Sequence, residues 1–359
     1  MKIGILTFHM ADNYGAILQA YALKEIIKSI ENDVEIINYK QHSIEKNYKI
    51  IVFYKNNIFK SLIANIVYFR TRIIKKRKFN NFRKMYLNIT SKVYKNSYSI
   101  NGKDIYIVGS DQVWNGNITN YDTTFFLDFC NKSNKKISYA ASIGKDTLTV
   151  KDLDFIKNNI SNLDFISVRE STVIDTLKEL TNKEIVRCLD PTLLINKNDW
   201  DKFIYNTKIN GNYLLIYSLT ENQEILNVAK IISKKLNLNV LYINDTIRKV
   251  RYGFKKVKQV GPEDFLSLIK NAYFVVTDSF HGTAFSIIFN KDFITVPHKT
   301  TGSRMISLLN LLKLDSRIIT NSTELNDEFD YHIDFKETNN ILNIEKAKSF
   351  EFLKKSIES

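Results

Sequence analysis

The chain has 359 residues, of which 44% are hydrophobic and 25% charged; this composition excludes a disordered, collagen-like or small disulfide-stapled protein and leaves room for about two domains. Lysine and arginine outnumber aspartate and glutamate by 52 to 38, and the net charge of +14 arises entirely from residues 46–98, which hold 14 basic residues and no acidic one. We call residues 46–98 the basic segment; the rest of the chain is formally neutral, which excludes a uniformly basic surface.

Short apolar runs alternate with helical patterns in the first half of the chain. The opening predicts a strand over residues 2–8, a helix over 16–30 and a strand over 34–39. After the basic segment, the predicted elements are strands over residues 104–108, 136–141 and 165–168 and a helix at about 171–180. This order is typical of a parallel sheet covered by helices.

The second half repeats the theme after Asp190 and Pro191, where the proline marks a candidate linker. The predicted strands cover residues 213–218, 239–243, 274–277 and 293–296, and the predicted helices lie near 222–236, 262–270 and 344–357. Two strands, at 105–111 (IYIVGSD) and 274–279 (FVVTDS), end in small polar residues and Asp. Loops at the carboxyl ends of parallel strands line ligand crevices, so we expect both to face a cleft between two domains.

The basic segment differs from both sheet regions because aromatic residues are interleaved with its lysines and arginines. These aromatic residues are Phe53, Tyr54, Phe59, Tyr68, Phe69, Phe79, Phe82 and Tyr86. Residues 70–84 predict a basic amphipathic helix. One interpretation is a surface that lies against anionic lipid, where each basic residue contributes ~1 kcal/mol; the other is a helix whose aromatic residues pack on the first domain. No nucleic-acid-binding pattern accompanies the segment, so nucleic acid is not an expected partner.

The two cysteines and the start of the chain bear on location. Cys130 and Cys188 are far apart and belong to no CxxC or Cys/His cluster, which argues against a disulfide framework or a zinc site. The first apolar run is too short for a signal peptide, and no run of about 18 apolar residues occurs. We therefore expect a soluble, cytoplasmic protein.

His281 is the foremost candidate for chemistry, in the stretch TDSFHGTA at residues 277–284. A turn of small residues between a strand and a helix offers backbone N–H groups and the positive end of a helix dipole to a phosphate or carboxylate. An imidazole placed there can donate or remove a proton near pH 7. The structural alternative is a helix-capping turn with a hydrogen-bonded histidine.

Further candidates follow other predicted strands, and each has an exposed polar loop as its alternative. Arg169 could bind a carboxylate or phosphate, or form an ion pair with Glu170. Two loops carry side chains suited to sugar hydroxyls or to stacking: His9, Asp12, Asn13 and Tyr14 in the first, and Ser110, Asp111, Gln112 and Trp114 in the second. Lys299, Ser303 and Arg304 could add positive charge to the second domain.

Several nucleotide-binding and hydrolytic motifs are absent from the sequence. It contains no GxGxxG, GxxxxGK[ST], GxSxG or HExxH. Asp152 and Asp154 resemble an acidic pair for a metal-bound nucleotide, but they begin an amphipathic helix and fit an N-terminal charge pattern. We therefore expect chemistry without a metal or redox cofactor.

Together, an ordered set of short blocks resembles the polysaccharide pyruvyl transferase family. The blocks are NYGA (13–16), LQAYAL (18–23), VGSDQVWN (108–115), SYAASIG (138–144), RES (169–171), DPT (190–192) and TDSFHG (277–282). They run in the family's order across about residues 1–312.

The resemblance implies an α/β fold with two Rossmann-like domains facing across a cleft, as in GT-B enzymes. We expect residues 1–190, with the basic segment as an insertion, to form the acceptor side and residues 191–340 to form the donor side, followed by a C-terminal helix at 341–359. The implied reaction transfers pyruvate from phosphoenolpyruvate to a saccharide as a ketal, in cell-surface polysaccharide biosynthesis. Phosphoenolpyruvate would be a co-substrate, with no further cofactor.

The resemblance also implies roles for the candidates named above. His281 would protonate the methylene carbon of phosphoenolpyruvate, and Asp111 would accept a hydroxyl proton. The donor-binding set would be Arg169, Ser279, Gly282, Thr283, Lys299 and Arg304. The acceptor-binding set would be His9, Asp12, Asn13, Tyr14, Ser110, Gln112 and Trp114.

One position departs from the family pattern. Members carry an arginine two residues before this histidine, where the present chain has Ser279, so Arg304 or Lys299 would have to supply the positive charge.

Two alternatives remain open. The first is a glycosyltransferase of the same architecture that uses a nucleotide sugar, although Ile288 and Phe289 stand where such enzymes often have a second glutamate. The second is a catalytically inactive, membrane-associated partner in polysaccharide assembly. Contact of the basic segment with lipid would make a lipid-linked saccharide at the inner face of the membrane the expected acceptor.

Overall fold

The computed structural model describes residues 1–51, 58–205, 209, 211–220, 222–246, 249–298 and 302–359, and for residues 47 and 58–64 the backbone alone. In chain order, its first half contains β1 (Ile3–Leu6), α1 (Tyr14–Lys28), β2 (Val34–Ile36), α2 (His42–Glu45), α3 (Ile58–Tyr86), β3 (Ile105–Val108), α4 (Gly116–Thr119), β4 (Lys135–Ala141), α5 (Val150–Lys157), β5 (Phe165–Val168), α6 (Ile174–Lys178) and β6 (Ile185–Arg187). Across the described residues of this half, the strands form one parallel sheet in the order β2-β1-β3-β4-β5-β6.

The second half forms a second parallel sheet. Its elements are α7 (Pro191–Leu194), α8 (Lys197–Trp200), β7 (Tyr213–Tyr217), α9 (Gln223–Lys235), β8 (Asn239–Ile243), β9 (Lys255–Val257), α10 (Pro262–Asn271), β10 (Phe274–Thr277), α11 (Phe280–Ile288), β11 (Asp292–Thr295), α12 (Ser303–Leu311) and α13 (Phe335–Glu358). In the part of the chain that the structure describes, the strand order is β11-β10-β7-β8-β9. The predicted α/β architecture of two Rossmann-like domains is therefore confirmed.

The central strands of both sheets are buried, as is typical of parallel sheets covered by helices. Every residue of β1, β3 and β10 is buried, which accounts for their unbroken apolar sequences. The predicted strands at 165–168, 239–243 and 274–277 have the observed bounds. The prediction missed β6 and β9, which have three residues each and are too short to show a periodic pattern.

The end of the chain returns to the first domain. Helix α13 begins at Phe335, well before the predicted start, and the Asp334 side chain caps its first turn by accepting a hydrogen bond from the Lys336 amide at 2.9 Å. Glu345 of α13 forms an ion pair with Arg187, and Ser349 accepts a hydrogen bond from the Leu189 amide at 2.9 Å. The helix therefore packs on the end of the first sheet.

Pro191, predicted to mark a linker, instead occupies the first turn of α7. Its fixed φ suits this position, and the side chain of Asp190 caps the helix by accepting from the Thr192 amide at 3.0 Å. The chain thus passes from one sheet to the other through a short buried helix that packs against α1.

Helix α1 is the element that both domains share. Most of its residues are buried, and the Tyr14 ring stacks on Phe265 of α10 at 4.5 Å between ring centroids. The Tyr14 hydroxyl donates to the Val260 carbonyl at 3.0 Å. These contacts fix the start of α1, and the loop before it, against the second domain.

Helix α3 carries most of the basic segment and connects the two domains. Phe79 and Phe82 are fully buried, as the interpretation of packing on the first domain expects. Lys75 and Lys78 form ion pairs with Asp245 at 3.2 Å and with Asp264 at 2.6 Å in the second domain.

Other residues of the basic segment are exposed to solvent or lie outside the described residues. Ile66, Phe69, Arg70, Arg77 and Lys84 are exposed along α3. Phe53 and Tyr54 lie outside the described residues, and for Phe59 only the backbone is described. Among the described helices, including α3, none combines the length and apolar character needed to cross a bilayer.

Candidate active site

A buried carboxylate, Asp190, stands at the junction of the two domains. Its Oδ2 accepts hydrogen bonds from Ser110 Oγ and from Arg169 Nη1, both at 2.8 Å, while its Oδ1 accepts from Thr192 Oγ1 at 2.7 Å. Burial alone would raise the pKa of Asp190, but the charges of His281 and Arg169 and these hydrogen bonds outweigh it and hold the pKa well below its usual range. Asp190 is therefore an ionised counter-charge.

His281 approaches this carboxylate from the second domain. It lies in the first turn of α11, and its Nε2 is 3.6 Å from Asp190 Oδ2, too far for a hydrogen bond. Within the described residues this buried Nε2 has no hydrogen-bond partner. A Cβ at Gly15 would collide with Nδ1 of the same ring, so only glycine at that position of α1 lets the imidazole lie against the helix.

Two arginines bring buried donors to the same region. The Nε and Nη2 atoms of Arg169 are buried with no hydrogen-bond partner among the described residues, and its guanidinium lies 4.3 Å over the Phe280 ring. Arg169 pairs with Asp190 rather than with the neighbouring Glu170. The Nε of Arg304 is also buried and has no hydrogen-bond partner among the described residues. Burial and the nearby Arg169 charge lower the pKa of Arg304 to about 10.

A cavity of about 120 Å³ lies between the domains beside these groups. The first domain contributes Asn13, Asp111 and Gln112 to its walls. The second domain contributes Ser279, Phe280, His281 and Arg304. The loops after β3 and β10, expected to face a cleft, thus line the same cavity.

The loops of the first domain are held in place by a second buried carboxylate. Glu170 Oε1 accepts from Ser142 Oγ, the Ile143 amide and the Gly144 amide at 2.9 to 3.0 Å. Gly144 has a φ of +65°, and a Cβ there would collide with the Gln112 side chain. Asp111 has a φ of +81°, a left-handed conformation that is rare for residues other than glycine and recurs at functional sites.

Several predicted site residues lie behind the cavity. Ser110 is buried against Asp190, and the Trp114 ring stacks on Phe126 at 4.9 Å while its Nε1 donates to the Phe125 carbonyl. Tyr14 lies in the aromatic contact with α10, and Asp12 pairs with Arg83 at 2.6 Å.

The remaining predicted donor residues are distributed around α11. Thr283 Oγ1 is hydrogen-bonded to Thr295 Oγ1 at 2.8 Å inside the second domain. Gly282 packs so closely on Thr277 that a Cβ would collide with it. Ser279 caps α11, with its Oγ accepting from the Gly282 amide at 3.4 Å. Lys299 lies outside the described residues.

Sequence reasoning did not single out Asp190 as a site residue. The available signals were the Asp-Pro pair and the family block DPT at 190–192, which predict neither a buried carboxylate nor its salt bridge to Arg169. In the described ranges of the chain, His, Cys, Asp and Glu side chains form no group of three or more that could hold a metal ion.

His9 makes the stability of the folded protein depend on pH. It has no exposed surface, its Nδ1 is 3.1 Å from the Thr7 carbonyl, and burial, aided by the charges of Arg83 and Lys40, lowers its pKa to about 4. The unfolded histidine has a pKa of about 6.5, so below that pH the unfolded state gains a proton that the folded state excludes. Stability is therefore lost as the pH falls from about 6.5 to about 4.

We predict that the lowered pKa of His9 alone reduces the free energy of unfolding by about 3 kcal/mol as the pH falls from about 6.5 to about 4. Urea unfolding at pH 7 and at pH 4.5 measures the loss, and His9→Asn should reduce it clearly. His42→Asn is the matched control because His42 is exposed, and this change should leave the loss unchanged. Equal pH dependence in wild type and His9→Asn would contradict the prediction.

The comparisons with known proteins agree with this architecture. The sequence profile of the family described as polysaccharide pyruvyl transferase matches residues 13–300. The search of curated proteins by sequence found no match. Among solved structures, UDP-N-acetylglucosamine 2-epimerase from Rickettsia bellii aligns with 98% of this chain and 96% of its own, at 10% identity and a TM-score of 0.51.

The S. aureus MnaA–UDP co-structure aligns with 97% of both chains at 12% identity and a TM-score of 0.51. At such identities the likeness concerns the fold, which is of the GT-B type with two Rossmann-like domains. The family match covers most of the chain and includes the loops that meet at Asp190 and His281. The chain belongs to the polysaccharide pyruvyl transferase family.

Proposed function

We propose that the protein transfers a pyruvyl group from phosphoenolpyruvate to a saccharide as a ketal, in the biosynthesis of a cell-surface polysaccharide. One observation carries the donor assignment: buried nitrogen atoms of Arg169, Arg304 and His281 have no hydrogen-bond partner among the described residues, and Arg304 lines both the cavity that contains His281 and a smaller cavity that contains Arg169. Buried donors without partners are costly, and an anionic ligand satisfies them. Phosphoenolpyruvate carries a carboxylate and a phosphate, which match two arginines.

The proposed chemistry begins with proton transfer from His281 Nε2 to the methylene carbon of phosphoenolpyruvate. The C=C bond becomes a methyl group and leaves a cation-like carbon, to which a sugar hydroxyl adds. The C–O bond to phosphate then breaks, and a second hydroxyl adds to complete the ketal. Each hydroxyl loses one proton: the first passes through Asp111 to the departing phosphate, and the second returns to His281.

Arg304 compensates, in this proposal, for the serine at position 279. Ser279 and Arg304 both line the cavity that contains His281, so a guanidinium from α12 reaches the region where the family arginine would project. Asp190 binds one edge of Arg169 and leaves Nε and Nη2 for the donor. Two fixed positive groups would also stabilise the departing phosphate.

We predict that phosphoenolpyruvate raises the thermal midpoint in a saturable manner, because it binds the folded state only. Arg304→Met should weaken the affinity at least tenfold, since it removes a charged hydrogen bond of about 1.5 to 3 kcal/mol. His281→Gln should remove transferase activity while it retains part of the binding. Arg77→Met, on an exposed position of α3, is the matched control.

Equal affinity in wild type and Arg304→Met would contradict the donor assignment. A midpoint shift with a nucleotide sugar, and none with phosphoenolpyruvate, would instead identify a glycosyltransferase. Binding of neither class of ligand would identify an inactive partner of an assembly complex.

We further propose that the basic segment docks on an anionic membrane surface and presents the enzyme to a lipid-linked acceptor. The support is the outer face of α3, where Arg70, Arg77 and Lys84 recur at seven-residue spacing beside the exposed side chains of Ile66 and Phe69. This combination of cationic and apolar side chains is typical of helices at the lipid interface. Lys75 and Lys78 are excluded from that face because they contact the second domain.

We predict that the triple change Arg70→Glu, Arg77→Glu and Lys84→Glu lowers cosedimentation with phosphatidylglycerol vesicles at least tenfold, since each basic residue contributes about 1 kcal/mol. Lys132→Glu, Lys157→Glu and Lys234→Glu together form the control, because these lysines are exposed elsewhere. An equal loss in both triple variants, or no loss in the first, would contradict membrane docking through α3.

A further inference from the structure

A second cavity, of about 460 Å³, lies where α3 meets the second domain. The chain before α3 contributes Tyr48 and Lys49 to its walls, and α3 contributes Tyr68, Arg72, Lys75 and Lys76. The second domain closes it with Asp245. Neither the proposed proton transfers nor the proposed donor binding uses this cavity.

The charges around this cavity do not balance. Four cationic side chains line it against two acidic ones, Asp12 and Asp245. Asp12 is already paired with Arg83 at 2.6 Å, and Asp245 with Lys75 at 3.2 Å. The surplus of positive charge therefore attracts an anion into a cleft with low-dielectric walls.

Among the described residues, the hydrogen-bond partners of Arg72 and Lys76 are neutral backbone and amide oxygens. Arg72 Nη1 donates to the Ile50 carbonyl and to Asn65 Oδ1, both at 3.1 Å, and Lys76 Nζ donates to the Tyr48 carbonyl at 3.2 Å. These hydrogen bonds position the two cations without neutralising them. Guanidinium and ammonium groups held in this manner suit phosphate oxygens.

The basic cavity adjoins the cavity that contains His281. Tyr48 lines both, and Asp12 of the basic cavity stands between Ala11 and Asn13 of the other. One extended ligand can therefore occupy both, with an anionic group beside Arg72 and Lys76 and a sugar near His281.

We infer that the basic cavity binds the phosphate or diphosphate group of the acceptor, so that the acceptor is a saccharide attached through phosphate. The assignment of the ligand as acceptor rests on the proposed function, whereas the anion site itself rests on the geometry of the cavity. A diphosphate bound to a sugar can be linked to a lipid or to a nucleoside, and both share the chemistry that the cavity recognises. The volume of about 460 Å³ accommodates a diphosphate together with part of a sugar.

The test uses the full chain and isothermal titration with inorganic pyrophosphate in the presence of saturating phosphoenolpyruvate. We expect saturable pyrophosphate binding that Arg72→Gln combined with Lys76→Gln weakens at least tenfold, with the affinity for phosphoenolpyruvate unchanged. Lys132→Gln combined with Lys234→Gln removes the same charge from exposed positions outside α3 and should leave pyrophosphate binding unchanged. Because Arg72 also donates to the Ile50 carbonyl, replacement of Arg72 can affect folding. Lys49→Gln therefore serves as a second cavity variant.

Competition then distinguishes the sources of the diphosphate. Farnesyl diphosphate is the lipid probe, and UDP-N-acetylglucosamine is the nucleoside probe. If one probe displaces pyrophosphate at a lower concentration than the other does, the result supports the inference and identifies the linkage. Weaker binding of both probes than of inorganic pyrophosphate would overturn it.

Other outcomes separate this inference from the proposed function. Equal pyrophosphate affinity in wild type and in the cavity variants would overturn the anion site alone. Displacement of pyrophosphate by phosphoenolpyruvate would also overturn it, because the two anions would then share the donor site. Loss of pyrophosphate binding only in the cavity variants, without any binding of phosphoenolpyruvate, would support the anion site and overturn the proposed donor and the acceptor role.

Discussion

The candidate site depends on a carboxylate that is removed from water at the junction of two domains. Burial of an ionised Asp190 is unfavourable unless fixed positive and polar groups surround it, and Arg169, Ser110 and Thr192 provide them from its own side. His281 approaches from the second domain. One nitrogen of Arg169 donates to Asp190, and two buried nitrogens have no hydrogen-bond partner among the described residues. In the proposed function these two nitrogens bind the anionic donor.

The backbone of α1 lies close against the His281 ring. The ring lies against α1 at Gly15, where any side chain would occupy the same space. The start of α1 is in turn fixed to the second domain through Tyr14, Val260 and Phe265. The imidazole of one domain and the loops of the other therefore keep a common register, which general acid catalysis at a shared cavity requires.

Helix α3 lies outside both sheets but contributes Phe79 and Phe82 to the hydrophobic core. Arg83 near its end donates to the carbonyls of His9, Met10 and Ala11 and pairs with Asp12, so the helix holds the loop that follows β1. Other basic residues of α3 form two groups: Arg72, Lys75 and Lys76 line the basic cavity, and Arg70, Arg77 and Lys84 are exposed. In the account proposed here, one helix thereby serves both the acceptor phosphate and the membrane surface.

The sequence was sufficient to predict the features that depend on local pattern. Apolar runs located most of the strands, and the polar ends of β3 and β10 predicted the loops that line one cavity. The pattern could not predict that Trp114 packs on Phe126 inside the domain, because stacking between core rings depends on tertiary packing. Nor could it predict the salt bridge of Asp190 with Arg169, which joins residues from the ends of different strands.

The most direct test of the central claim is a double-mutant cycle between Gly15 and His281, read as free energy of unfolding in urea. Gly15→Ala should cost about 1 to 3 kcal/mol in the wild-type background, because the added methyl group forces the imidazole from its place. In the His281→Ala background the same change should cost little, since the ring is absent. An equal cost of Gly15→Ala in both backgrounds would contradict the account, because His281 would then not lie against α1 at the domain junction.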